Sequence, residues 1–334
     1  MYKKQKTFII AEIGNNHEGN FLLAKKLIRD AKKCGADAVK FQTFVPELFV
    51  SSKDKKRFLQ LSKFQLTYNQ FHKLAQYAKK IGIIFFSTPM DVASAKFLNK
   101  IQNIFKISSA DNDFYKLIKT VAKFNKTIIV STGLTTLSDI KKVEKIIFGI
   151  WNKFKKNKNR RLVLMHCVSS YPVPTNQANL NAIKTLANRF KNCLVGYSDH
   201  TIGNIAALSA VALGAKFIEK HFTIDKNFSN FRDHMLSADP NEMYKLVNDI
   251  RELENLLGNG KKNIQKSEKK NLINLRRKAA VLTKISKGKK IEDQDIKWIR
   301  SKSGIKNMHE NKIIGKRINK NLGKDKIILK NYLY

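Results

Sequence analysis

The sequence predicts an α/β fold: a (β/α)8 barrel of the TIM type, followed by a small C-terminal β-rich domain. Eight short apolar runs rich in β-branched residues recur over the first 221 residues. Most are separated by an amphipathic stretch with helical spacing, and this alternation is typical of the eightfold barrel. At 334 residues the chain is long enough for one such barrel and an appendage.

The predicted strands are short, and the helices between them carry recognisable ends. Asn20 is a plausible N-cap and Gly35 a stop for the first helix. Thr67-x-x-Gln70 reads as a capping box, and the stretch 239–242 offers an N-cap aspartate, a proline at N1 and a glutamate at N3. The eight predicted strands cover residues 8–13, 38–41, 83–88, 104–107, 127–131, 162–166, 193–197 and 215–221.

The amino-acid composition of the chain changes after Gly258. The stretch GNGKKNIQKSEKKN is polar and lysine-rich, and beyond it short β-like runs are broken by glycine turns. We therefore predict a barrel over 1–260, a linker over 261–274 and a second domain over 275–334. A domain of roughly 60 residues buries little surface, so we expect it to need a docking partner for stability.

Composition narrows the possible functions. The formal net charge is +39, but the lysines are spread over almost every predicted helix and loop, and no helix-turn-helix, RRM or zinc-finger pattern occurs. We therefore predict no nucleic-acid partner and interpret the lysines as solvated, with a positive field that attracts anionic substrates. No apolar run approaches a membrane span, so a cytoplasmic protein without a membrane partner is expected. Three cysteines without CxxC spacing favour core packing over disulfides.

Every predicted strand ends in polar residues, and active sites of such barrels gather at those ends. In KFIEKHFT, residues 216–223, strand alternation places Phe217, Glu219 and His221 on one face. A serine that stops a strand or a histidine satisfied in a core is the ordinary alternative for any single residue. The strand ends carry Glu12, Lys40, Gln42, Ser87, Thr88, Lys106, Ser108, Ser109, Ser131, Thr132, His166, Ser169, Asp199, His200, Glu219 and His221.

Two features of these strand ends indicate a type of chemistry. Adjacent strands seven and eight both end in histidine, and two imidazoles with an open coordination position suit Mn²⁺, Fe²⁺ or Zn²⁺. Two lysines and three hydroxyls form a cationic wall suited to phosphate and carboxylate oxygens: Lys40, Lys106, Thr88, Ser109 and Ser131. The pattern predicts a metal-dependent enzyme acting on a small phosphorylated or carboxylated compound, and leaves the reaction open.

Seven stretches of the chain resemble, in order, the signature blocks of the sialic acid synthase family. They read AEIGNNHEG, GADAVKFQTF, FFSTPMD, STGLTTL, GYSDHTIG, ALGAKFIEKHFT and DHMLSADP, and the tail from about Leu275 resembles that family's antifreeze-like (SAF) domain. The resemblance implies that phosphoenolpyruvate condenses with an open-chain N-acyl hexose, either N-acetylmannosamine or a 2,4-diacetamido-trideoxyhexose. The products would be a nine-carbon 2-keto-3-deoxy (nonulosonic) acid and phosphate.

The resemblance also implies roles for individual residues. His200 and His221 match the ligands of a divalent metal, Mn²⁺ or alternatively Mg²⁺ or Co²⁺, and Glu12 matches the catalytic acidic residue near the attacking water. Arg300 matches the arginine that reaches a partner subunit's site, which implies a domain-swapped homodimer. Residues matching phosphoenolpyruvate contacts are Lys40, Thr88, Lys106, Ser109 and Ser131, and those near the sugar or metal are Gln42, Tyr171, Glu219 and Asp233.

Several positions depart from the family pattern. KISSAD replaces KIGSGE, which puts Asp111 in place of a glutamate, and NFSNFRD replaces the proline-rich PGPD, which adds Arg232. Ser169 stands where asparagine or threonine is common, and RSKSG replaces RPGNG around Arg300. We expect Asp111, Arg232 and Ser169 to bear on the acceptor.

Two alternative functions are weighed against this interpretation. One is another phosphoenolpyruvate-condensing barrel, which makes keto-deoxy-octulosonate or the shikimate precursor and lacks the SAF tail. The other is a non-catalytic basic barrel that binds polyanions, with salt-sensitive binding and no turnover.

Overall fold

The computed structural model describes residues 6–154 and 161–334, and the chain forms two compact units, Met1–Gly258 and Asn259–Tyr334. The division into barrel, linker and tail domain by residue number stays a prediction. Within the described residues, the structure contains no helix with the length and apolarity needed to cross a membrane.

The first unit is built on eight parallel strands in the order β3-β2-β1-β8-β7-β6-β5-β4. The first strand pairs with both the second and the eighth, while β3 and β4 lie in contact at the ends of this order. The sheet thus curls into a barrel, which confirms the predicted fold class. The strands are β1 Phe8–Gly14, β2 Ala38–Thr43, β3 Ile84–Pro89, β4 Ile104–Ile107, β5 Thr127–Ser131, β6 Leu162–His166, β7 Leu194–Asp199 and β8 Phe217–His221.

Helices connect the strands, and the predicted caps are present. Asn20 accepts a hydrogen bond from the backbone N–H of Leu23, and Gly35 adopts the left-handed conformation after the helix. The capping boxes that begin at Thr67 and Asp239 both form. The helices are α1 Phe21–Lys33, α2 Pro46–Phe49, α3 Lys55–Phe64, α4 Tyr68–Ile81, α5 Val92–Leu98, α6 Tyr115–Lys123, α7 Leu137–Trp151, α8 Ala182–Arg189, α9 Ile205–Ala212, α10 Arg232–Leu236 and α11 Pro240–Leu256.

Two apolar layers follow from strand alternation. The outer layer packs the strands against the helices, and the smaller inner layer fills the lower part of the barrel with residues such as Ile10, Phe86, Ile129, Met165 and Phe217. Side chains alternate between the faces, and the inward positions two residues after Ile10, Phe86, Ile129 and Phe217 are all polar. The inner layer therefore forms a floor beneath a polar chamber at the carboxyl ends of the strands.

The second unit is small and β-rich. Its strands β9 Arg277–Val281 and β10 Ile296–Arg300 pair antiparallel, and its core is dominated by isoleucines, among them Ile285, Ile318 and Ile328. The predicted β-like runs near its end form isolated bridges, such as Ile318 with Leu333, because turns interrupt them before a ladder extends. The segment predicted as a linker contains a short helix, α12 Lys269–Asn274.

Candidate active site

A cavity of about 700 Å³ opens at the carboxyl ends of the barrel strands. It brings together most of the residues that the sequence singled out, from all strands except the sixth and from the loops after β4, β6, β7 and β8. The predicted residues that line it are Glu12, Lys40, Gln42, Thr88, Lys106, Ser108, Ser109, Ser131, Tyr171, His200, Glu219, His221, Arg232 and Asp233.

Strand alternation explains why these side chains converge. In β8, Phe217 belongs to the inner floor, and the next inward residues, Glu219 and His221, line the cavity above it. Lys220 points to the other face and pairs there with Asp199. The two polar residues of KFIEKHFT that share the Phe217 face therefore both reach the cavity, as the spacing predicts.

Four buried charged side chains form a continuous chain across the cavity floor. Lys40 Nζ lies 2.9 Å from Glu12 Oε1 and 3.6 Å from Glu219 Oε2. Lys106 Nζ donates to both oxygens of Glu219, at 2.8 and 2.7 Å. Buried charges remain ionised only when partners compensate for lost hydration, and each lysine here has a carboxylate partner.

The two glutamates of this chain have opposite acidities. Burial raises the pKa of Glu12 to about 7, against the attraction of Lys40. Burial also acts on Glu219, but Lys106 and Lys40 together hold its pKa well below the usual range. Glu12 thus changes its protonation near neutral pH, while Glu219 stays a carboxylate.

The two histidines lie side by side, with ring centroids 5.5 Å apart. His200 Nδ1 donates to the carbonyl oxygen of Val168 at 2.8 Å, so the lone pair of the ring is on Nε2, which lies 3.5 Å from Ser198 Oγ. His221 Nδ1 is buried without a hydrogen-bond partner among residues 6–154 and 161–334. Burial lowers the pKa of both rings, and His200 lowers that of His221 further. Both are therefore neutral imidazoles, the form that binds metal ions.

These donors fit a divalent cation that completes its shell from elsewhere. An orphaned buried nitrogen on His221 and a lone pair on His200 are two nitrogen ligands in adjacent positions. Nowhere in the described chain do three or more His, Cys, Asp or Glu side chains converge in a metal-binding group. An ion at this place would take its remaining ligands from water or substrate, as in open catalytic sites.

One wall of the cavity is a stack of three side chains. Tyr171 lies 4.3 Å from His200, centroid to centroid, and the guanidinium of Arg232 lies 5.2 Å from the Tyr171 ring. Arg232 Nε also contacts Asp233 at 3.3 Å. Burial raises the pKa of Asp233 despite that neighbour. The stack leads from the mouth of the cavity to the histidines.

The strand-end candidates Ser87, Thr132, His166 and Asp199 do not line this cavity, and three residues singled out by comparison with the family pattern also lie elsewhere. Asp111 sits in the turn after β4 and accepts a hydrogen bond from Ser108 Oγ at 2.5 Å, and it does not line the main cavity. Ser169 lines a second cavity of about 470 Å³ between the loops after β5 and β6. Arg300 is the last residue of β10 in the second unit.

The cavity also contains residues that sequence reasoning did not select. Asn15 donates to Gln42 at 2.9 Å, and Ser198 donates to Glu219 at 2.9 Å. Both had a usable signal, since Asn15 follows β1 in the GNNHEG loop and Ser198 is the inward residue two positions before His200. Lys56 and Arg57 at the mouth come from α3, whose polar sequence carries no site signal.

Comparisons with known proteins agree on one family. The NeuB family profile matches residues 27–262 of this chain. The chain is 41% identical to the N,N'-diacetyllegionaminic acid synthase of Campylobacter jejuni, over 97% of this chain and 99% of that protein. It is 34% identical to the pseudaminic acid synthase of the same organism, over 95% of this chain and 94% of the relative.

A solved structure supports the same assignment. The N-acetylneuraminic acid synthetase of Leptospira borgpetersenii superposes with a TM-score of 0.74 at 35% identity, covering 80% of this chain and 90% of that one. Together with the barrel and its polar chamber, these matches show that the chain belongs to the NeuB family, the sialic acid synthases.

Proposed function

We propose that the protein condenses phosphoenolpyruvate with the open-chain form of an N-acyl hexose, giving a nine-carbon 2-keto-3-deoxy acid and phosphate. The observation that carries this proposal is the buried Lys40–Glu219–Lys106 chain beside two neutral histidines in one cavity. Two lysines and nearby hydroxyls suit the phosphate and carboxylate of phosphoenolpyruvate. A metal ion held by the two histidines would suit the carbonyl oxygen of the sugar.

Phosphoenolpyruvate would bind at the lysine side of the cavity. Lys40 lies 3.3 Å from Thr88 Oγ1, and the hydroxyls of Ser109 and Ser131 line the same cavity. In the free enzyme Lys40 pairs with Glu12 and Glu219, and Lys106 pairs with Glu219, so both side chains are positioned before the substrate arrives, and burial lowers the pKa of Lys106. Such preorganised cations favour an anion without reorganisation of the site.

A divalent ion, proposed as Mn²⁺ with Mg²⁺ or Co²⁺ as alternatives, would be held by His200 and His221. When bound, it would supply Lewis acidity toward the aldehyde oxygen of the acceptor. The two imidazoles contribute neutral nitrogen ligands at the end of the cavity where the Tyr171 ring lies against them.

Glu12 would orient and deprotonate the water molecule that completes the reaction. A carbon–carbon bond forms between the methylene carbon of phosphoenolpyruvate and the aldehyde carbon, water adds at C2, and phosphate departs. Glu12 Oε1 is held by Lys40, while its Oε2 is buried without a partner in the part of the chain that the structure describes. That free oxygen can orient the water and accept its proton.

The acceptor sugar would lie along the Tyr171 and Asp233 wall. Carboxylates such as Asp233 and Glu219 accept hydrogen bonds from sugar hydroxyls, and an aromatic face packs against a sugar or its acyl group. The names of the relatives support N-acetylmannosamine or a 2,4-diacetamido-trideoxyhexose as the acceptor. Arg232 adds a donor at this wall, and we propose that it contributes to the choice between these sugars.

The deciding experiment measures phosphate release from phosphoenolpyruvate with Mn²⁺ and a panel of acceptors, with mass spectrometry of the products. The panel contains N-acetylmannosamine, two 2,4-diacetamido-trideoxyhexoses and arabinose 5-phosphate. Release with an N-acyl hexose is the expected result. Phosphate release with arabinose 5-phosphate alone would assign the chain to the other phosphoenolpyruvate-condensing reaction. No phosphate release with any acceptor, together with salt-sensitive binding of polyanions, would favour a non-catalytic barrel.

The metal assignment has its own test. His221→Ala should abolish phosphate release and stoichiometric Mn²⁺ binding, because it removes one of two nitrogen ligands. The matched control is His72→Ala on the exposed face of α4, where the ring contacts only Gln76 among the described hydrogen bonds. Full activity of the unmodified protein after thorough metal stripping would contradict the proposal.

A further inference from the structure

We propose that the buried ion pair between Asp199 and Lys220 is the device that holds the two cavity histidines at a fixed separation. Asp199 immediately precedes His200, and Lys220 immediately precedes His221. Both are positioning residues, since they lie on the opposite side of the strands from the cavity. The chemical consequence rests on the proposed function, whereas the geometry does not.

The register of the barrel places the pair directly beside the histidines. In the parallel pairing of β7 with β8, Asp199 lies opposite Lys220. Because side chains alternate along a strand, an outward ion pair at this register puts the following residues inward, and both histidines line the cavity. One contact therefore sets the spacing of two neighbouring strand ends.

The pair is fully buried and each of its polar atoms is used. Lys220 Nζ lies 2.8 Å from Asp199 Oδ2 and 2.9 Å from the carbonyl oxygen of Gly203, and it also donates to the carbonyl oxygen of Thr201. Asp199 Oδ1 accepts from the backbone N–H and the hydroxyl of Thr201, at 2.9 and 2.8 Å, and from the Tyr197 hydroxyl at 3.3 Å.

An ammonium has three donors, and here all three have acceptors on the chain segment around His200. Lys220 thus reaches from β8 across to β7 and ties down the turn 199–203, which contains His200 and reverses at Gly203 with a φ of +77°. Lys220, which precedes His221, therefore hydrogen-bonds to Asp199 on one side of His200 and to Thr201 and Gly203 on the other.

Stability alone does not explain such a pair. Taking two charges out of water costs about as much as their attraction returns, and well-packed apolar side chains of similar size do as well or better. The ion pair and its five further hydrogen bonds instead fix the orientation of the groups they join, because each bond sets a distance and an angle. Supporting contacts of this kind orient residues that bind a metal or substrate.

The experiment removes the pair without leaving a lone buried charge. The double variant Asp199→Asn with Lys220→Met keeps the size of both side chains and the zero net charge of the pair. The single variant Lys220→Arg keeps Asp199 and tests whether a cation of different shape can hold the same geometry. The matched control is Arg251→Met, which breaks a second ion pair of the barrel, 2.9 Å from Asp37, at the opposite ends of the strands. Melting temperature is recorded for each variant.

The first readout is independent of any metal. In ¹⁵N-histidine-labelled, metal-free protein, the Nδ1–H resonance of His200, assigned with His200→Gln, reports its bond to Val168. We expect the double variant to shift or lose this resonance and the control to keep it. An unchanged resonance in a folded double variant would overturn the proposal.

The second readout is Mn²⁺ affinity. We expect at least a tenfold weaker dissociation constant in the double variant, with a KM for phosphoenolpyruvate within about threefold of the unmodified protein, and partial recovery in Lys220→Arg. Equal losses in the Arg251→Met control would reduce the pair to a general stabilising role and overturn the proposal. If the unmodified protein turns over without binding Mn²⁺, the metal part of the proposed function fails, and the imidazole resonance still decides the positioning role.

Discussion

At the scale of single residues, Glu12 and Glu219 show how position in the barrel sets chemistry. Both are buried inward residues of neighbouring strands, and both contact Lys40. Glu219 has two lysines and the Ser198 hydroxyl, so it remains ionised, whereas Glu12 has one lysine and one oxygen without a partner among the described residues. The same side chain therefore acts as a fixed charge at one place and as a titrating group at the other.

This difference predicts a pH dependence. Burial raises the pKa of Glu12 to about 7, and a base must be deprotonated, so kcat/KM for phosphate release should rise as pH increases through about 7. Glu12→Gln should remove that rise and lower kcat by roughly 10²- to 10⁴-fold. The measurement is a pH profile of initial rates from pH 5.5 to 9 for both proteins.

The control for this profile is Glu47→Gln, an exposed glutamate in α2. It should keep both the rate and the shape of the unmodified profile. If Glu12→Gln retained the same ascending limb, another group would be responsible, and Glu12 would lose the role of base.

At the scale of elements, the contact between β7 and β8 depends on a residue without a side chain. A Cβ added at Gly196 would lie 2.7 Å from both the Cβ and the carbonyl oxygen of Phe217. The two strands that carry the histidines approach each other closely here, and the backbone of β8 cannot yield as a flexible side chain could.

Gly196→Ala should accordingly destabilise the barrel by about 1–3 kcal/mol through overpacking. The matched control is Gly149→Ala in α7, where the new methyl group meets no atom of residues 6–154 and 161–334 within 4 Å. That change should stabilise the protein by about 0.5–1 kcal/mol, because glycine is costly in a helix. Urea denaturation followed by circular dichroism compares the two, and equal effects would refute the steric explanation.

Local signals predict most elements of the barrel because strands and helix caps are short-range features. The eight apolar runs each become a strand, and the side chains of Asn20, Thr67 and Asp239 cap helices as expected. The helix α3 was not predicted, since its sequence KKRFLQLSKF mixes charges on most sides. Its existence depends on packing of Leu61 and Phe64 against Phe44 and Met90, which local spacing does not reveal.

At the scale of the whole molecule, the two units raise the question of how many chains make a site. The family resemblance assigns Arg300 to a partner subunit's cavity, and we propose a domain-swapped homodimer on that basis. Arg300 is exposed at the end of β10, with its backbone paired to Arg277.

If Arg300 acts in trans, mixing an Arg300→Ala chain with a Glu12→Ala chain should restore activity after subunit exchange. One site of each mixed dimer then has both residues, and random exchange of equal amounts makes about half of the dimers mixed, so up to about a quarter of the unmodified activity should return. The measurement is phosphate release before and after exchange, with light scattering for the oligomeric state. Two inactive parents that stay inactive after verified exchange would place Arg300 and Glu12 in the site of one chain, whereas an active Arg300→Ala parent would leave Arg300 outside the site.

The sequence by itself determined the barrel, the inward face of each strand and the polar residues that end it, because strand alternation and capping act over a few neighbouring residues. Only the tertiary structure decided how these residues pair. Lys106 and Glu219 are 113 positions apart and meet because the sheet closes, and Tyr171 stacks on His200 through a loop that local rules do not place. The same closure leaves Asp111 and Ser169 outside the main cavity, since contacts between distant segments are set by the packing of the whole barrel.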